Sequence, residues 1–156
     1  VSFVFISRLF MRYTKLLKLT WVILLLTNLY TPCAGAEFKE LSAAEFITRN
    51  TAQTLIVDIR RPEEWSKGGV IANSKLLTFF NQQGHFDLPD WLSKLARLKK
   101  TKETAIILVC ASGNRSKRVA KLLSTELNMN KISHLKNGIK GWKQQGHLTI
   151  NPDLKL

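Results

Sequence analysis

The chain has 156 residues, 24 Lys or Arg against 11 Asp or Glu, a formal charge of +13 and 45% hydrophobic residues. That apolar fraction excludes a purely disordered or repetitive chain and predicts one compact domain. Cys33 and Cys110 are the only two cysteines, which excludes a disulfide-dense framework and any zinc site built from several thiolates.

The first segment carries Arg8, Arg12, Lys15 and Lys18 and no acidic residue before Glu37. An apolar run from Trp21 to Leu26 continues through Leu29 and Tyr30 and ends in Thr31-Pro32-Cys33-Ala34-Gly35-Ala36. Basic start, short apolar middle and small-residue Ala-x-Ala end are the layout of a secretory signal peptide, with cleavage expected after Ala36. Val1 reads as an alternative initiator, and Met11-Arg12-Tyr13-Thr14-Lys15 makes a more ordinary opening. Only 13 residues separate Lys18 from Pro32, whereas a helix crossing the hydrocarbon layer needs about 20. No stable membrane anchor is expected, and Tyr30-Thr31-Pro32 ahead of Cys33 lacks the small residues a lipidation signal needs. The reading is therefore residues 1–36 as signal peptide, residues 37–156 as one domain, and an exported, periplasmic protein.

Residues 37–156 keep 20 basic against 11 acidic side chains, a surplus of +9. No basic stretch is interleaved with aromatics, so nucleic acid is not an expected partner. The surplus reads as solvated faces, or as a field that gathers small anions or outer anionic lipid within a Debye length of about 8–10 Å.

In chain order, Ser42 with Glu45 three residues later forms a capping box that starts a helix bearing Ala43, Phe46 and Ile47 on one side. Residues 54–59 and 104–109 are continuous apolar runs rich in β-branched residues, as expected of strands covered on both faces of a parallel sheet. Leu92, Leu95 and Leu98 mark a helix opened by Pro89 and Asp90. A helix from Ser116 to Leu127 is expected to bury Val119, Leu122, Leu123 and Leu127 and to turn Lys117, Arg118, Lys121 and Thr125 outward. A short strand, Lys131 to Leu135, precedes a last helix at Ile139 to Gln145. Strands alternating with helices predict an α/β sheet.

Loss of Cys33 with the leader would leave Cys110 as the lone thiol in an oxidising compartment, where it is either buried and inert or used. Its position decides. The strand end Val109-Cys110 runs through Ala111-Ser112-Gly113-Asn114-Arg115-Ser116 straight into a helix. Beyond the carboxyl ends of parallel strands, helix amino ends offer free N–H groups and positive dipole to anions. Gly113 permits unusual dihedrals, and Ala111, Ser112 and Asn114 keep the walls short, so backbone N–H groups can converge on the sulfur. An ordinary thiol near pKa 8.5 is lowered by such a setting and by a nearby cation, here Arg115, which favours a nucleophilic Cys110.

At these residues the chain resembles the rhodanese family of single-domain sulfurtransferases. Cys110 and Arg115 match its loop of Cys, four residues, then Arg; Asp58-Ile59-Arg60 with Glu64-Trp65, and Asn137-Gly138 with Gly141-Trp142, match two further motifs. The resemblance runs roughly from Phe38 to His147 and implies a doubly wound parallel sheet flanked by helices on both faces. It further implies that Cys110 accepts a sulfane sulfur as a persulfide and passes it on, with Arg115 orienting an anionic donor such as thiosulfate. Ala111, Ser112, Gly113, Asn114 and Ser116 would line the substrate loop. The acceptor would be a thiol or cyanide, and no metal or organic cofactor is implied. Cysteine phosphatases have five residues between Cys and Arg; the four here make a ring better suited to a sulfur atom. Two departures matter. Ala111 stands where thiosulfate users often carry an arginine, and Gly68-Gly69-Val70-Ile71-Ala72-Asn73 lacks the family's histidine and proline. They keep open a second reading, an exported rhodanese-like binding or sulfur-carrier module.

Asp58 and Arg60 either face the site or tie a loop to the sheet, the latter being favoured. Trp65, Trp91 and Trp142 are expected as core anchors, and His85, His134 and His147 as surface or turn-capping residues. Lys94, Arg97, Lys99, Lys100 and Lys102 read as a solvated helix end complementing the negative dipole.

Overall fold

The computed structural model describes residues 36–152, and the leader expectation falls on residues outside them. Five strands, β1 (Lys39–Leu41), β2 (Thr54–Asp58), β3 (Lys75–Leu76), β4 (Ala105–Val109) and β5 (Ile132–Leu135), form one sheet in the order β1-β5-β4-β2-β3. Every neighbouring pair is parallel. The helices are α1 (Ala43–Arg49), α2 (Pro62–Gly68), α3 (Leu88–Leu98), α4 (Asn114–Lys121) and α5 (Gly138–Gln144). Among the described residues no helix is long and apolar enough to cross a membrane.

Period-two alternation along β2 and β4 sorts their side chains into two cores. Leu55, Val57 and Ile59 with Ile106, Leu108 and Cys110 meet Trp91 and Leu95 of α3 and Val119 and Ala120 of α4. On the opposite face Ile56, Ile107 and Val109 meet Ala43 and Phe46 of α1 and Ile139 and Trp142 of α5. Because both faces are covered, these strands read as unbroken apolar runs in the sequence. Burying each large side chain contributes about 1.5–3 kcal/mol.

The expected capping box is present: Glu45 N donates to Ser42 Oγ at 3.3 Å and Ser42 N donates to Glu45 Oε2 at 2.8 Å. The helix expected from Ser116 to Leu127 departs from its pattern. It begins at Asn114 and gives way after Lys121 to a π-helical segment, Leu122–Glu126, in which Leu127 N reaches back to the Leu122 carbonyl. Ser124 and Thr125 hydroxyls both donate to the Lys121 carbonyl, at 3.2 and 2.7 Å, and compete with the α ladder there. The widened turn leaves Leu127 exposed at 38% rather than on the buried stripe, although Val119 and Leu123 are buried as expected. Three elements lack a readable signal in the sequence: β1 and β3, of three and two residues, and α2, which buries none of its residues.

Candidate active site

The chain leaves β2 toward one edge of the sheet and leaves β4 toward the other, so their carboxyl ends flank a crevice of the kind in which ligands collect in open parallel sheets. Cys110 stands one residue past β4. Keeping the strand's alternation, its side chain shares the face of Ile106 and Leu108, and it is fully buried. Burial and the loop's donors thus coincide at one thiol, where the sequence posed burial and use as alternatives.

Around that thiol the loop curls as its residue types allow. Gly113 caps α4 at φ 91° and ψ −22°, and a Cβ there would stand 1.7 Å from the Lys136 carbonyl oxygen, so glycine is required on both counts. Three donors converge on Cys110 Sγ: Gly113 N at 3.2 Å, Ser116 N at 3.3 Å and Ser116 Oγ at 3.4 Å. The loop carbonyls turn the other way. Ile139 N donates to the Cys110 carbonyl and Lys140 N to that of Ala111, each at 2.9 Å, from the first turn of α5. Gly138, at φ 56°, allows this approach; a Cβ on it would meet the Cys110 carbonyl oxygen at 2.3 Å. Ser112 and Asn114 are exposed and Ala111 half-buried, so these three form the outer wall.

Arg115 does not point an unpaired guanidinium at the sulfur. Its Nη1 and Nη2 donate to Glu64 Oε2 and Oε1 at 2.9 and 2.5 Å, a fork-on-fork pair between α4 and α2 with both side chains about a quarter exposed. Burial alone would raise the Glu64 carboxyl. The hydrogen bonds from Arg115 and from Arg61 N outweigh it and hold Glu64 below the ordinary value of 4.5, while Glu64 in turn raises Arg115. Asp58 and Arg60, by contrast, are sealed. Arg60 Nε and Nη2 donate to the Asp58 oxygens at 2.6–3.0 Å, while Nη1 reaches the Glu64 carbonyl and Nη2 the Gly69 carbonyl. The pair therefore ties the α2 segment to the end of β2.

Trp91 and Trp142 are buried anchors, the latter edge-on to Phe46 at 5.2 Å. Trp65 is only half-buried and lines a cleft of about 720 Å³ with Leu76, Phe79, Phe86 and Trp91, so it is not a core anchor. The expectation for the histidines also needs correction at one of the three. His134 is 1% exposed, and its Nδ1 lies 3.3 Å from Ser116 Oγ, the hydroxyl that also faces the sulfur. The sequence hides this: a lone histidine in a four-residue strand carries no spacing signal, and only the β4–β5 pairing places it beside the loop.

The Rhodanese-like domain family matches residues 40–145. No curated protein matches the chain. Among solved structures, a rhodanese-related protein from Thermoplasma volcanium is 23% identical, with a TM-score of 0.54 over 72% of this chain and 98% of its own. The polysulfide-sulfur transferase homodimer from Wolinella succinogenes is 18% identical, with a TM-score of 0.55 over 72% and 78%. A protein of unknown function from Rhodopseudomonas palustris, described as a possible tyrosine phosphatase, is 22% identical, with a TM-score of 0.53 over 72% and 84%. At these identities the likeness is one of fold.

Proposed function

Because the chain belongs to the rhodanese-like domain family, we propose that it is a sulfurtransferase that carries sulfane sulfur as a persulfide on Cys110. The observation that supports this most is the convergence of Gly113 N, Ser116 N and Ser116 Oγ on Sγ. Such preset donors stabilise negative charge where it develops, on the thiolate before transfer and on the terminal persulfide sulfur after it. With thiosulfate, the Cys110 thiolate attacks the outer sulfur, the bond to the sulfonate sulfur breaks, and sulfite leaves with that electron pair. A thiol or cyanide then attacks the terminal sulfur and returns Cys110 as thiolate. The similarity to a polysulfide-sulfur transferase adds polysulfide to the donors to be compared. Arg115, at the rim, is the cation for an anionic donor, which it would take up by exchanging Glu64 for the incoming oxygens.

Full burial of Cys110 and the occupied guanidinium favour a second reading, a sulfur carrier or binding module with little turnover on thiosulfate. Incubation with thiosulfate, polysulfide or a small persulfide, followed by intact mass and then cyanide with measurement of thiocyanate, separates the two. Gain of one sulfur atom with thiocyanate release is the expected result. No uptake from any donor would leave the binding module, and wild-type turnover by Cys110→Ser would remove the nucleophile. We also propose export, on the basic, apolar and small-residue order of the leader; processed protein beginning at Glu37 outside the cytoplasm is the expected finding.

A further inference from the structure

Cys110 is fully buried in the resting structure, and its nearest side-chain partner is itself buried. From the Ser116 hydroxyl that already faces the sulfur, a chain of polar groups leads on to His134 and Glu40, which the sulfur chemistry above leaves unused. Ser116 Oγ lies 3.4 Å from Cys110 Sγ and 3.3 Å from His134 Nδ1, and Ser116 and His134 are 0% and 1% exposed. His134 Nε2 is buried without a hydrogen-bond partner. It stands 3.9 Å from the Glu40 carboxylate on β1, which is held in an ion pair by Lys117 of α4. The Phe38 ring packs against the imidazole at 5.8 Å between centroids. Those are the charged and aromatic groups facing His134 from the elements packed on it: Glu40 and Phe38 from the β1 segment, Lys117 and Ser116 from α4.

We propose that Cys110 loses its proton inward, through Ser116 to His134, with Glu40 facing the imidazolium that forms. The inference rests on Cys110 being the nucleophile of the proposed function. The Cys110 S–H bond breaks and its proton joins Ser116 Oγ while the hydroxyl's own proton passes to His134 Nδ1. A neutral thiol and a neutral imidazole become a thiolate and an imidazolium, with Ser116 unchanged and no co-reactant. Ser116 is suited to this, since its single proton has three acceptors in reach: the Gly113 carbonyl at 3.0 Å, the sulfur and the imidazole. A nucleophile and a base in hydrogen-bonded line with it are the parts of an activated nucleophile, here with a hydroxyl inserted as the link and a carboxylate 3.9 Å from the far nitrogen of the base. Burial holds the imidazole below its ordinary 6.5 against the pull of Glu40, so it stands neutral and able to accept.

The test follows thiolate formation itself, which does not depend on sulfur transfer. In the full chain carrying Cys33→Ala, the ultraviolet thiolate absorbance is recorded against pH for the parent, His134→Gln, Ser116→Ala, their double variant and Glu40→Gln, with circular dichroism to confirm folding. Loss of either relay member is expected to raise the thiolate midpoint by about one pH unit or more, and the double variant should go no further than the larger single. Glu40→Gln should move it the same way by less. A midpoint unmoved in folded His134→Gln overturns the relay. Should that variant not fold, an unmoved midpoint in Glu40→Gln, whose side chain is a third exposed, overturns it as well. A normal midpoint shift in protein that takes up no sulfur from any donor would instead sink the sulfurtransferase reading and leave the relay standing.

Discussion

Two arginines near the crevice each grip a carboxylate, and they do so in opposite ways. Arg60 holds Asp58, two residues away, with both side chains at 3% exposure or less and two further guanidinium hydrogens on backbone carbonyls. Arg115 holds Glu64 across 51 residues at a rim where both are about a quarter exposed. The first is buried with its partner and also tied to two backbone carbonyls, so it is a fastening. The second can part at modest cost and accept another anion, so it is suited to a gate for a charged donor. Equal chemistry thus serves permanence or exchange according to burial.

The largest expected effect breaks the sealed side. Asp58→Ala strands a buried guanidinium and should destabilise the domain by about 3–5 kcal/mol, read from urea unfolding. Next, Arg115→Gln should cut the rate of persulfide formation about tenfold to a hundredfold through misplaced donor while shifting unfolding little. A double-mutant cycle on Glu64 and Arg115 should then give a coupling of about 0.2–1 kcal/mol, and salt should reduce it; a coupling as large as that of the sealed pair would erase the contrast.

The smallest effect is in acid. Glu64 titrates below 4.5 in the folded chain despite its burial, because Arg115 and Arg61 N favour its charge. A lowered acid binds its proton in the unfolded chain first, so its stabilisation is complete above pH 4.5 and is lost as pH falls through the folded value. Glu64→Gln should remove that part of the acid slope. Unfolding midpoints from pH 6 down to pH 3 check this, and identical slopes would show the pair to be energetically idle.

Much of this layout was legible in the sequence because it rests on period and short-range chemistry. Unbroken β-branched runs gave the two central strands, Ser42 and Glu45 gave a helix start, and the Cys110–Ser116 spacing gave the donor cradle. What escaped was set by long-range neighbours. Glu64 neutralising Arg115, and His134 arriving behind Ser116, depend on which strands lie side by side. The π-helical break depends on two hydroxyls competing for a single carbonyl, which no hydrophobic stripe records. The loop that follows Cys110 carries its legible chemistry, whereas its burial comes from the strand that precedes it.

The two carbonyls at the start of the loop are taken by Ile139 N and Lys140 N, so a helix remote in sequence decides which end of each peptide dipole the sulfur sees. The heptapeptide from Cys110 to Ser116 is therefore not portable: grafted onto another strand–helix junction without that second helix, its peptide planes would be free to flip and present oxygen to sulfur. Lengthening the Asn137–Gly138 turn by a single residue would do the same within the native protein.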